Sequence, residues 1–139
     1  MLHATLPSLA GAAFLAFAVA LVVRGAPSRA PSWRVPAALA ALFLAYSLHA
    51  VAAEGPFGFW GEHTRGAWGN QIWFDLLLAI GIGWYLVLPR LRALGMRPLP
   101  WLALVACTGS IGLLALLARA HRLDGCRNDE RNVPATRAP

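Results

Sequence analysis

Four long stretches of this sequence are almost free of charge, and they decide what the chain can fold into. They run over about 4–23, 35–53, 71–88 and 101–118. At a helical rise of about 1.5 Å per residue, each can cross a hydrocarbon core of roughly 30 Å. Backbone N–H and C=O groups in lipid must be satisfied within the segment, so the stretches are read as helices. The expectation is an all-α, integral membrane four-helix bundle over residues 1–120, with 121–139 as a disordered polar tail. Only 13% of residues are charged, against about 25% in an ordinary soluble domain, so little chain remains for a water-soluble core.

The first stretch lacks the basic flank of a signal peptide, since "MLHATLPS" has no Lys or Arg, and it is read as an uncleaved span. All 12 basic residues are arginine. They gather at the ends of the apolar stretches without interleaved aromatics, which makes them topology markers and excludes a nucleic-acid partner. Arg24, Arg29 and Arg34 lie in the first connection, and Arg90, Arg92 and Arg97 in the third, with no acid in either. The second connection, 54–70, holds Glu54, Glu62 and Arg65. The positive-inside rule puts loops one and three in the cytoplasm and both termini outside. The tail disagrees, because its five arginines outnumber Asp124, Asp129 and Glu130 on what would be the outer side.

The tryptophans fit the same frame as interfacial anchors: Trp33 and Trp101 on the inner side, Trp60, Trp68 and Trp73 on the outer. The outer loop "EGPFGFWGEHTRGAWGN" is long and aromatic enough to serve as a lid or docking surface, or as a plain linker. Small residues mark where helices could approach: Ala12, Ala16 and Ala20; Ala79 and Gly83; Ala106, Gly109, Ser110 and Gly112. Cys107 and Cys126 fall at different depths, so no disulfide is expected, and no cofactor or metal motif is present.

Ionisable side chains interrupt the apolar stretches near the outer boundary. His49 lies five residues before Glu54, and Asp75 four residues after Gln71. Helical rise puts both at a similar depth, roughly 6–8 Å in, with Tyr46 one turn deeper. The candidate site is therefore Tyr46, His49 and Asp75, rimmed by Glu54, Asn70 and Gln71. An ionisable residue within a span is a functional hypothesis with a named partner, here His49 for Asp75. Such a pair could act as acid and base or relay protons; the favoured reading is an interhelical polar contact.

The second half also carries "FDLLLAIG", "RLRALGMR" and "TGSIGLLALLAR". In this outline it resembles small bacterial four-span membrane proteins and, more distantly, the abscisic-acid-deficient-type membrane proteins tied to carotenoid metabolism in plants. It departs from their pattern in the last span, where "GLLALL" replaces a proline. The resemblance covers about a third of the chain and carries over to Asp75, Leu76, Arg92, Gly95 and Gly109. It implies a multi-pass protein of a bacterial inner membrane. The functional expectation is an accessory or scaffold subunit without catalysis, whose partners are the lipid bilayer and other membrane subunits or a homo-oligomer. The alternatives are an enzyme acting on an isoprenoid or lipid, and a small proton-coupled carrier.

Overall fold

The computed structural model describes residues 2–24 and 32–132. Every element among them is helical: α1 (Leu2–Arg24), α2 (Arg34–Glu54), α3 (Gly58–Thr64), α4 (Ala67–Ala93), α5 (Pro98–Thr108) and α6 (Ser110–Asn132). The chain divides into two compact units, 1–31 and 32–139. The first consists of α1, a 23-residue helix with Pro7 inside it. The basic connection around Arg29 and the last residues of the expected tail, 133–139, lie outside the described residues.

In the second unit, α2 and α4 are long and apolar enough to cross a membrane, whereas the apolar runs Pro7–Ala20 of α1 and Pro98–Thr108 are shorter. Their lengths of 21 and 27 residues correspond to about 31 and 40 Å. Pro36 sits in the first turn of α2, where its missing N–H costs nothing. Gly55, at φ 83°, ends that helix in a conformation only glycine adopts freely. α4 ends in a Schellman turn: Met96 N–H donates to the Leu91 carbonyl and Gly95 N–H to that of Arg92. Met96 then packs against the core that holds Val87, Leu91 and Leu116.

The fourth apolar stretch does not form the single span expected of it. Gly109, at φ 59° and ψ −125°, breaks it into α5 and α6. At Gly112 the backbone of α5 is so near that an added Cβ would lie 2.9 Å from both the Leu104 carbonyl oxygen and the Val105 Cα. In a continuous helix, residues 104 and 112 would stand about 12 Å apart. The chain therefore reverses, and α5 and α6 form a helical hairpin. Contacts with α4 give its direction: Gly109 near Ile80, Gly83 against Leu113, Arg90 with Asp124, and Arg127 to the Ala93 carbonyl. α6 thus runs parallel to α4 and α5 runs antiparallel to both. With 11 residues, or about 16 Å, α5 reaches roughly half a hydrocarbon thickness before turning back.

This correction carries two others. The end of α6 lies at the same end of the unit as loop three, not at the opposite end where the C-terminal segment was expected. The segment 121–132, read from sequence as disordered, is helical. No proline interrupts it before Pro134, and contacts of Asp124 and Arg127 with the end of α4 hold it in place. The core sits between these helices: Val87, Leu91 and Leu116, surrounded by Trp84, Met96, Trp101, Leu113 and Leu117. α2 joins by packing on α6, and small residues are buried on both helices, Ala40 on α2 and Ala118 and Ala120 on α6.

Candidate functional site: an apolar cavity above the hairpin

Because the hairpin stops halfway, no other described residue of the 32–132 unit fills the space between α2 and α4 beyond its tip. A cavity of about 630 Å³ remains there. Ser47, Val51 and Glu54 line it from α2, Trp73, Leu77 and Ile80 from α4, and residues 105–111 of the hairpin tip form its floor. The short helix α3 contributes Phe59 and His63. The His63 and Trp73 rings stack with centroids 4.9 Å apart at 38°, and Phe59 lies 6.1 Å from Trp73. Gly69 lets α3 come this close: a Cβ there would lie 2.4 Å from the Glu62 carbonyl oxygen. The connection between α2 and α4 thus lies against the cavity through a helical turn and an aromatic cluster. A volume of this size and an apolar lining with few polar groups are the usual attributes of a small-molecule site.

The residues singled out from sequence are not gathered into this cavity, with one exception. Glu54 lines it. Asn70, Gln71 and Asp75 share a shallow depression on another face of α4, together with Phe74 and Leu78. Tyr46 and His49 are exposed on α2. At about 100° per residue, Asp75 points some 200° away from Leu77, and His49 as far from Ser47. Among the described residues no hydrogen bond or ion pair joins Asp75 to His49 or Tyr46. α2 and α4 both pack against α6, so equal depth on antiparallel helices does not make these side chains meet. Nor do three His, Cys, Asp or Glu side chains gather to hold a metal among the described residues.

Sequence reasoning missed a polar cluster at the other end. Arg90 Nε donates to Asp124 Oδ2 at 2.9 Å, its Nη2 donates to the same oxygen, and Nη2 also lies 3.0 Å from His121 Nδ1. Guanidinium can only donate, so His121 Nδ1 accepts and the imidazole is neutral with its proton on Nε2. Burial and the neighbouring Arg90 charge hold the His121 pKa below its ordinary 6.5, while Asp124 pulls partly the other way. The signal was the i, i+3 spacing of His121 and Asp124, which places both on one helical face.

No protein family, curated protein or solved structure matches this chain.

Proposed function

We propose that this chain is a multi-pass membrane protein that acts as an accessory or scaffold subunit without chemistry of its own. One observation carries the reading. The polar side chains within its apolar helices, Asp75 with Asn70 and Gln71 on α4 and His49 with Tyr46 on α2, point outward, away from the cavity. No other helix of the 32–132 unit covers them. A carboxylate on a lipid-facing surface is costly, by up to about 3 kcal/mol at mid-bilayer and less near the boundary. A neighbouring subunit or a second copy that supplies a hydrogen bond removes that cost. The surrounding surface is equally suited to helix or lipid contact, with Leu42 69% and Leu86 70% exposed.

Cysteine crosslinking in native membranes tests this, in a background with Cys107 and Cys126 replaced by serine. Cysteines at Gln71 and Leu78, on the Asp75 face, give a discrete adduct with a second membrane polypeptide; a cysteine at Leu77 gives none. Asp75→Leu removes the adduct. If Asp75→Asn keeps the adduct but abolishes a cellular phenotype, Asp75 acts chemically and the scaffold reading fails.

The cavity favours a second reading, the binding of an isoprenoid or lipid chain. Its titratable lining side chains are Glu54, His63 and Cys107, so an enzyme working in this cavity would draw on those rather than on Asp75 and His49. A proton carrier gains nothing from the geometry, since no relay links Asp75 to His49.

A further inference from the structure

The packing of α2 against α6 brings two cations to one indole. The Arg34 guanidinium carbon lies 6.0 Å from the Trp33 ring centre and that of Arg122 lies 5.9 Å from it. Trp33 and Arg34 open α2; Arg122 follows the last apolar turns of α6. Arg34 and Arg122 are exposed, and neither has an acidic partner among the described residues. Asp124, the nearest acid to Arg122 along α6, is engaged by Arg90. The two guanidiniums thus share an aromatic platform without a counter-charge among the described residues, at the boundary where the apolar run of α2 begins. The first turn of α2 adds the positive end of its dipole there. Guanidinium matches phosphate oxygens in geometry as well as in charge, and Trp is the residue that settles at headgroup depth.

We propose that Trp33, Arg34 and Arg122 form a binding site for the phosphate of an anionic phospholipid headgroup in the leaflet that faces loop three. The site rests on the membrane reading above but is independent of the scaffold role. An anionic lipid, rather than a nucleic acid or an acidic protein, fits because the site has the depth of an interfacial anchor and holds only two cations, both beside one indole. Arg92 and Arg97, exposed at the same end, extend the positive field around it.

The test uses the full chain in phosphatidylcholine nanodiscs with and without phosphatidylglycerol, following thermal unfolding and the lipid retained in native mass spectrometry. Two interfacial arginines should favour phosphatidylglycerol over phosphatidylcholine by about 10- to 30-fold. The wild type retains phosphatidylglycerol and unfolds at higher temperature with it present. The double variant Arg34→Gln, Arg122→Gln loses both effects, and Arg65→Gln, at the opposite end, keeps both. Equal retention by the double variant, or equal loss by Arg65→Gln, overturns the site. If inorganic phosphate added to phosphatidylcholine nanodiscs protects as well as phosphatidylglycerol, the ligand is a free anion and the lipid proposal fails. Alkaline carbonate extraction of native membranes is read separately: release of the chain would defeat the membrane reading itself, whatever the lipid preference.

Discussion

Arg90, at the end of α4, holds Asp124 of α6 through two of its nitrogens, and this pair ties the returning arm of the hairpin to a full-length helix. The two side chains are 37% and 30% exposed, so solvent screens much of the attraction. Two donors on one oxygen improve the geometry over a loose surface pair. Asp124→Asn is expected to cost about 1 kcal/mol, and Arg90→Gln a similar amount. Because both break the same contact, the double variant should cost much less than their sum. Denaturant unfolding in detergent measures all three, and additive losses would show that the pair does not act as a unit.

The same cluster makes stability pH-dependent through His121. Its folded pKa lies below the ordinary 6.5, chiefly through burial and then through Arg90. Between the lowered value and 6.5 the unfolded chain binds more protons than the folded one, so stability rises with pH across that interval. The contribution of the neutral imidazole is complete above about pH 6.5 and is lost as the pH falls below it. Protonation also removes the Nδ1 acceptor that faces Arg90. The unfolding midpoint is expected to drop on acidification through this range, and His121→Gln to flatten the profile. Arg90→Gln should flatten it too, by removing a cause of the shift, whereas Asp124→Asn should steepen it. A wild-type profile level across that interval would refute this assignment.

The hairpin makes a topological prediction. Reporters fused in loop three at Gly95 and after Asn132 should read the same side of the membrane, and one inserted between α2 and α3 the opposite side. A through-going fourth span requires Gly95 and Asn132 to report opposite sides. This arrangement also accounts for the basic tail that the four-span reading left on the wrong side. Arg122 and Arg127 now share an end with Arg34, Arg90, Arg92 and Arg97, as the positive-inside rule prefers. Gly109 is the lever. Its φ of 59° with ψ −125° strains any other residue by about 1–3 kcal/mol. Gly109→Ala should therefore weaken the reversal, detected as a fraction of C-terminal reporters switching sides.

Hydropathy made α2 legible to within one residue at each end, 35–53 against Arg34–Glu54, and α4 without its first four and last five residues, 71–88 against Ala67–Ala93. It could not separate one continuous helix from a hairpin, because 101–118 has the same length and oiliness either way. The distinguishing signals were Gly109 and the arginine count after Ala118. Tyr46, His49 and Asp75 are not brought together, for a different reason. Distance from the ends of a stretch gives depth, but which way a side chain points depends on what its helix packs against. Asp75 and His49 were matched in depth alone. With α6 as the common neighbour of α2 and α4, the side chains facing the cavity are Ser47, Glu54 and Trp73. The Arg90–His121–Asp124 cluster went unseen because its helical face was assigned to a tail.

Glycines give the last test, since the structure assigns them unequal costs. At Gly112 an added Cβ meets Thr108 Oγ1 at 2.7 Å and α5 backbone atoms at 2.9 Å; at Gly69 it meets the α3 backbone at 2.4 Å. Backbone cannot move aside without parting the helices, so both Ala variants should destabilise by about 1–3 kcal/mol. Gly69→Ala should also push α3 off α4 and expose Trp73, seen as a change in tryptophan fluorescence. Gly83→Ala differs: its 2.8 Å clash is with the tip of the Leu113 side chain, which can rotate, so the cost should be smaller. Gly125, inside α6 with nothing within 4 Å, should gain from alanine by up to about 1 kcal/mol through helix propensity. Unfolding in one detergent ranks the four variants. If Gly112→Ala proved as benign as Gly125→Ala, α5 and α6 could not lie back to back, and the hairpin would have to give way to a straight span.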